Sequence, residues 1–457
     1  MITSIHDFQR VFFIGVAGTG MSAVAQYLAG IGKEVRGSDR YFTPGTPNET
    51  RDKLEAEGIR CFLQDGSGLD ESIELVVVST AIEDTVGEVK KSRELKIPII
   101  RRSELLAIIA ASKRTIAIGG TSGKSTTSAM VFDLLEKGGY APSIISGAGL
   151  VSIIKEGKIG NAKVGQGEWL VIEADESDGS IVQYKPEIGL LLNVDKDHKD
   201  INVLMDIFTV FKNNSRFFIV NQSHYLAKQL SRDKLVDFST DGERAGTIAG
   251  EYHQTGQNIQ FTVDDVPFSM QVIGRHNMEN AVAGIAVCKM VGMDTSDCVE
   301  PLSKYEGIYR RHQIIGEKNG VILIDDYAHN PVKCARSIEA CQPLAPKVIA
   351  WFQPHGYGPT KFLQEDFERE IADVLRDNDE IWMSEIFYAG GTAVKDISAN
   401  DLIQGITRAG KKAYFVEDRK DLVDSLRPHI QPGTVLLLMG ARDPSLETFA
   451  KTVWEQL

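Results

Sequence analysis

The sequence predicts an α/β protein of three consecutive domains, on the strength of three stretches. An apolar run, Thr115-Ile-Ala-Ile, enters Gly119-Gly-Thr-Ser-Gly123 and then a segment of helical spacing from Ala129 to Leu135. A second strand–glycine–helix pattern opens the chain at Arg10-Val-Phe-Phe-Ile-Gly15-Val-Ala-Gly18-Thr-Gly20. Beyond Arg310, short apolar runs alternate with helical patterns to the end. At 457 residues the chain is too long for one core. Alternation of buried strand, loop and helix is the pattern of doubly wound sheets.

Composition narrows the class. Hydrophobic residues at 42% and charged residues at 25% are ordinary for a soluble globular protein. No apolar run is long enough to span a bilayer, so no membrane partner is expected. Met1-Ile-Thr-Ser-Ile-His6-Asp7 lacks the basic start and apolar core of a signal peptide. Five cysteines, Cys61, Cys288, Cys298, Cys334 and Cys341, are scattered without metal-site spacing, which points to a reducing cytoplasm. A net charge of −13 argues against general nucleic-acid affinity. Local cations can still focus an anionic ligand. No repeats or low-complexity runs are present.

The Gly120-Thr121-Ser-Gly123-Lys124-Ser125-Thr126 turn has what a phosphate-binding loop needs. Small residues let backbone N–H groups close around phosphate oxygens, and the following helix N-terminus adds a favourable dipole. Lys124 can reach terminal phosphates and the Ser125 hydroxyl can hold Mg²⁺, which reads as an ATP site. The full Walker spacing needs glycine where Ile118 stands, so this is a short form; a plain glycine turn before a helix is the alternative.

In the first region, a strand at Glu34-Val-Arg-Gly-Ser38-Asp39 ends in an acid placed for a ribose. The Gly15-x-x-Gly18-x-Gly20 spacing departs from the dehydrogenase fingerprint. Three readings stay open there: a nucleotide diphosphate, NAD, or a structural turn. Leu75 to Ile82 is a buried strand with Ser79 near its end, and Ile97 to Ile100 leads into Arg101-Arg102. Paired arginines at a strand end suit phosphate or carboxylate, or are simply solvated.

In the central region, buried strands end in Glu173-Ala-Asp175-Glu176-Ser177-Asp178 and in Asn193-Val-Asp-Lys-Asp197-His198-Lys-Asp200. Ligands of open α/β sheets sit at such ends. With Ser125 these acids make an oxygen-rich Mg²⁺ site, or else a solvated loop. Gln257 to Val272 reads as hairpin strands, followed by a helix from Ala281 to Val291. Asn277 and Asn280, one helical turn apart, suit an adenine edge or a helix cap.

The last region places strands at Val321–Ile324, Lys347–Phe352, Glu380–Met383, Ala413–Val416 and Thr434–Leu438. Helices are expected at Pro331–Cys341, Lys361–Leu375, Ala399–Ile406 and Arg419–Leu426, with a closing helix after Pro444. The strand ends carry Asp325-Asp326-Tyr327-Ala-His329-Asn-Pro, Phe352-Gln-Pro-His355 and Gly440-Ala-Arg442-Asp443.

In their joint order these motifs resemble the Mur ligase family, the ATP-dependent amide ligases of peptidoglycan precursor assembly, and most nearly its alanine-adding members. The resemblance covers nearly the whole chain. It implies an N-terminal Rossmann-like UDP-binding domain (1–111), a central P-loop ATPase-type domain (112–312) and a C-terminal Rossmann-like domain (313–457). It implies UDP-N-acetylmuramate and an amino acid or short peptide as partners, ATP with Mg²⁺ or Mn²⁺ as cofactors, and a monomer or weak homodimer. Catalytic roles fall on Lys124, Glu173, His198 and Arg310, and metal ligation on Ser125, Glu173 and His198. ATP would be held by Gly120, Thr121, Gly123, Lys124, Ser125, Thr126, Asn277, Asn280, Arg310, Asp326 and Tyr327. The UDP-sugar would meet Gly15, Gly18, Gly20, Met21, Ser38, Asp39, Ser79, Arg102, Glu176 and Ser177. His329, His355, Lys361 and Arg442 would form the amino-acid site.

The chain departs from the alanine-adding pattern in three places. Ser122 stands for histidine and Ser125 for threonine, the latter keeping its hydroxyl. The segment after His355 reads Gly356-Tyr-Gly-Pro359-Thr-Lys361 where arginines normally meet the incoming amino acid, and Arg442 could supply a displaced cation. A carbamylated lysine found in many relatives aligns with Phe208 here, with Lys212 nearby. Alternative expectations are therefore a ligase adding a preformed murein peptide to the same sugar, or a nucleotide-binding paralogue without activity.

Overall fold

The computed structural model describes residues 2–80, 82–177, 179–196, 199–388, 390 and 394–457. They form two compact units. The first comprises Met1–Gly250, Thr262–Phe268 and Glu279–Ile308; the second comprises Glu251–Phe261, Ser269–Met278 and Tyr309–Leu457. The architecture is α/β with parallel-dominated sheets.

The first unit holds two such sheets. One orders its strands Arg60–Leu63, Glu34–Asp39, Arg10–Ile14, Leu75–Val78 and Ile99–Arg101, all parallel. Strand order reverses beside Arg10–Ile14, so the glycine turn emerges at a switch point, where such sheets bind ligands. Alternation along this strand sends Val11 and Phe13 to one face and Phe12 and Ile14 to the other, and all four are fully buried. The other sheet runs Phe217–Val220, Ile188–Leu191, Arg114–Gly119, Trp169–Glu173, Ser143–Ile145 and Ala162–Lys163, with only the last strand antiparallel. One continuous core joins the two sheets, from Val11 and Phe13 through Leu105 and Ile109 to Leu170 and Ile172. Each such aliphatic side chain contributes about 1.5–3 kcal/mol by leaving water.

A four-stranded sheet follows along the chain, Phe238–Ser239, Thr247–Thr255, Asn258–Val263 and Val266–Met270. Its last two strands are the expected hairpin, turned at Asp264 and Asp265 with φ of 49° and 65°. The helix expected from Ala281 begins earlier and spans Arg275–Val291.

The second unit orders Gln313–Lys318, Val321–Asp326, Thr434–Gly440, Lys347–Gln353, Glu380–Met383 and Ala413–Phe415. Its edge strand Gln313–Lys318 is antiparallel and the rest are parallel. Ile324, Ala350, Phe352 and Leu437 pack on one side of the sheet, Leu323, Trp351, Leu436 and Leu438 on the other. The edge strand escaped sequence reading because it is partly exposed along most of its length and lacks a clean alternation. The single helix expected over Lys361–Leu375 is two, Tyr357–Phe362 and Gln364–Val374. The axis breaks at Leu363 (φ −104°, ψ 11°), whose side chain is buried. No helix among the described residues is long and apolar enough to cross a membrane.

Candidate active site

Strand Arg114–Gly119 lies between Ile188–Leu191 and Trp169–Glu173, so the loop that follows it faces the acids ending both neighbours. Gly120 and Gly123 adopt φ of 138° and 82°, a region costly for residues with a Cβ. Helix Lys124–Lys137 starts at Gly123 with no side-chain cap, which leaves its first N–H groups available to an anion. The loop is shaped by Asn193. Its Oδ1 accepts from Ser122 N at 2.8 Å and from Thr121 Oγ1 at 2.9 Å, and its Nδ2 donates to the Ser122 carbonyl at 3.1 Å.

Lys124 Nζ donates to Glu176 Oε2 and to the Gly120 carbonyl, both at 2.7 Å. Burial works against its charge, but Glu176 and then Asp175 outweigh that and hold the ammonium above its ordinary range. Burial likewise opposes ionisation of Asp175, and Lys124 with the Ser177 N–H overcomes it, keeping that carboxyl below its usual value. Ser125 Oγ donates to Glu173 Oε2 at 3.0 Å. The other oxygen of Glu173 accepts from Ser146 Oγ at 2.7 Å and Gly147 N at 2.6 Å. Thr126 follows, partly buried. Asn280 Oδ1 accepts from Thr127 Oγ1 at 3.1 Å and lies where a Cβ on Gly123 would come within 2.5 Å.

At the first glycine turn, Gly15 N and Val16 N donate to the Ser38 carbonyl at 2.8 and 2.9 Å. Asp39 accepts from Ala17 N at 2.9 Å and Tyr41 N at 3.0 Å, so its carboxylate shapes the turn. Gly18 precedes helix Thr19–Gly30 and leaves its N-terminus without a side-chain cap. Arg102 crosses this turn, 3.2 Å from the position of a Cβ on Gly20, and its charge reaches Asp175. Ser79 lies just past strand Leu75–Val78, partly exposed. Met21 is buried in the core, while Ser177 is exposed and caps Asp175 with its N–H. Asp178, Asp197 and His198 lie outside the described residues. Lys199 donates to the Glu176 carbonyl at 2.8 Å.

The second unit gathers its own group at the ends of Val321–Asp326 and Lys347–Gln353. Arg310 donates through Nε and Nη2 to Asp325 at 2.7 and 3.1 Å, and again through Nη2 to the Gly440 carbonyl at 3.1 Å. The Tyr327 ring lies 5.5 Å from the Arg310 guanidinium and 5.0 Å from that of Arg311. His329 sits 5.6 Å from the Tyr327 ring and 5.7 Å from His355. Burial, with Lys333 and Arg311 nearby, pushes His329 well below the ordinary histidine value and keeps it neutral. Asp326 accepts from Ser337 Oγ at 2.6 Å. Asn277 Nδ2 donates to the Ile273 carbonyl, just before its helix, at 2.8 Å. Lys361 pairs with Asp396, and Arg442 is exposed at φ 62°. Beyond His355, Gly356 has φ 75°, and the rings of Tyr357 and Tyr388, 5.5 Å apart, both lie within 6 Å of Lys395 Nζ (5.7 and 5.6 Å).

Sequence reasoning gave no role to Ser146 and Gly147, which hold Glu173, to Asn193, which holds Thr121, or to Asn161, which holds Ser146 and the helix after Gly18. The small-residue run Ser146-Gly-Ala-Gly149 after a buried strand was the one available signal.

Comparison with known proteins bears on this arrangement. Residues 10–114 match the Mur ligase family catalytic domain, 118–288 the Mur ligase middle domain and 310–442 the Mur ligase glutamate ligase domain. A UDP-N-acetylmuramate–L-alanine ligase of Pelotomaculum thermopropionicum is 34% identical over 95% of this chain and 95% of its own length. The chain belongs to the Mur ligase family. An Agrobacterium fabrum UDP-N-acetylmuramate–L-alanine ligase is 33% identical over 94% of this chain and 93% of its own. Within this Mur ligase the first match contains the glycine turn and Arg102, the second the phosphate loop and Glu173, and the third Arg310 to Arg442. The fold is shared with the crystal structure of a Thermotoga maritima UDP-N-acetylmuramate–alanine ligase (23% identity, 98% of each chain, TM-score 0.78). It is shared too with a Psychrobacter arcticus murein peptide ligase (19% identity, 98% of each chain, TM-score 0.68).

Proposed function

We propose that this Mur ligase uses ATP to join an amino acid, L-alanine, to the carboxylate of UDP-N-acetylmuramate in peptidoglycan precursor synthesis. The reading is carried by the phosphate loop, whose Lys124 and Ser125 meet Glu176 and Glu173 at the end of the neighbouring strand. The relatives' names support the substrates. The sugar carboxylate attacks the γ-phosphate, giving an acyl phosphate and ADP. The amine then attacks the acyl carbon, and the tetrahedral intermediate expels phosphate to leave the amide. Two anions must meet in the first step, so the site has to supply positive charge at the transferring group. Lys124, held protonated by its acidic neighbours, supplies it, and no protein nucleophile is needed. Arg102, over the glycine turn, anchors the UDP-sugar.

The donors also fit a hard cation. Ser125 Oγ and Glu173 Oε2 present oxygens 3.0 Å apart beside the loop. Among the described residues no group of three or more His, Cys, Asp or Glu side chains is arranged to hold a metal. Ser125 and Glu173, with His198 as the family resemblance implies, would hold Mg²⁺ together with the nucleotide's own oxygens. When bound, it neutralises charge on the phosphate oxygens. We place the activity in the cytoplasm, where the five buried cysteines stay thiols.

The segment after His355, Gly356-Tyr-Gly-Pro359-Thr-Lys361 where arginines are expected, favours a second reading, in which the amine is a preformed murein peptide rather than free alanine. One assay tests both. ADP release should require UDP-N-acetylmuramate and an amine together, with the amide found by mass spectrometry. Alanine giving a higher kcat/KM than murein tripeptide supports the first reading, and the reverse order the second. No amide with any amino acid or short peptide rejects both.

A further inference from the structure

We propose that Asn161 is a positioning residue that couples the glycine turn to the phosphate loop, an inference that rests on the ligase reading above. Asn161 is fully buried just before strand Ala162–Lys163, the edge of the second sheet. Its Nδ2 donates to the Thr19 carbonyl at 2.8 Å and to Ser22 Oγ at 3.0 Å, both in the first turn of the helix that follows Gly18. Gln26 Nε2, a turn further along, donates to Asn161 Oδ1 at 2.7 Å and to the Ser22 carbonyl at 2.9 Å. One amide side chain thus clamps the helix whose N-terminus faces the proposed diphosphate.

The other end of Asn161 reaches the phosphate loop. Its backbone carbonyl accepts from Ser146 N at 2.8 Å. Ser146 Oγ donates to Glu173 Oε1 at 2.7 Å, and Glu173 Oε2 accepts from Ser125 Oγ at 3.0 Å. A short chain of buried or part-buried bonds therefore runs from the glycine turn to the loop serine. Asn161 touches neither proposed substrate. Its chemistry is geometric, since the two N–H donors and the acceptor oxygen of a fully buried amide are all satisfied by protein groups and fix the helix in one place. Phosphoryl transfer between ligands held on two sheets depends on that placement, and misplacement by about 1 Å can cost on the order of 100-fold in rate.

The test compares the full-length wild type with Asn161→Ala and Gln26→Met. The second variant removes the Nε2 bonds to Asn161 Oδ1 and the Ser22 carbonyl together with Gln26 Oε1, which is buried without a hydrogen-bond partner; losing that orphan offsets part of the cost of unpairing Asn161 Oδ1, so it is the milder variant. UDP serves as the diphosphate probe, with affinity by calorimetry and amide hydrogen exchange followed over residues 144–148. UDP should slow exchange there in the wild type. Asn161→Ala should bind UDP within threefold of wild type, lose that slowing, and show kcat at least tenfold lower with KM for UDP-N-acetylmuramate within threefold. Gln26→Met should fall between the two. Retained slowing with kcat within twofold of wild type, or a loss in KM alone, overturns the inference and leaves the ligase reading standing. If Asn161→Ala does not fold, a wild-type response in Gln26→Met overturns it equally. A wild type that binds no UDP overturns the sugar-site assignment and this inference together.

Discussion

Lys124 and Glu176 are a buried pair in which each partner justifies the other's charge, with side chains 16% and 5% exposed. Breaking such a pair from one side strands a charge and costs about 3–5 kcal/mol. Lys124→Ala is expected to abolish amide formation and lower Tm, while UDP-sugar affinity stays within threefold because Arg102 and the glycine turn are untouched. Adding Glu176→Gln should restore Tm but not turnover, which thermal melts and product assays on the two variants would separate. Asp133, on the loop helix, is a different case. Burial, with Glu306 and Glu136 nearby, pushes its carboxyl to about 7. The unfolded carboxyl titrates near 3.8, so the folded state binds the extra proton between those values. Its stabilising share is complete below pH 3.8, falls as pH rises, and is gone above about 7. Asp133→Asn should therefore exceed wild type in Tm by a margin that widens from pH 5 to pH 8. A constant margin would show that Asp133 is ionised throughout.

The phosphate loop is the element where sequence and conformation agree most closely. A side chain at Gly123 meets both a φ of 82° and Asn280 Oδ1 at 2.5 Å. Gly123→Ala should weaken binding of a non-hydrolysable ATP analogue at least tenfold and cost about 1–3 kcal/mol of stability, measured by titration and denaturant melts. Wild-type affinity would mean that the nucleotide does not use this loop. The loop was legible because glycines, lysine and a hydroxyl at fixed spacing follow a buried strand. Its supports were not, because Asn193 and Ser146 come from the ends of other strands, and no local feature of either says which loop it holds. The pairing of Arg310 with Asp325 was missed for the same reason, as it forms only once strand Val321–Asp326 is laid beside the segment before it.

The whole molecule comprises two units with separate cores, one continuous through two sheets and one built on both faces of a third. Each core is large enough to unfold cooperatively by itself. Calorimetry should resolve two transitions, and UDP should raise only the one belonging to the unit with the glycine turn. A single transition shifted as a whole would count against this division. At this scale the strand–loop–helix order was legible, because hydrophobic periodicity is a local property that each segment carries in its own residues. That periodicity determined the α/β class and the succession of strands and helices, and motif spacing fixed the positions of the two glycine turns and the phosphate-loop lysine. Only the tertiary structure decided which carboxylate meets Lys124, that Asp39 and Asp325 hold backbone and arginine, and that Asn161 ties the helix after Gly18 to the second sheet. These are contacts between residues far apart in the chain. Their partners are chosen by how the sheets pack, and no spacing rule along the sequence encodes that choice.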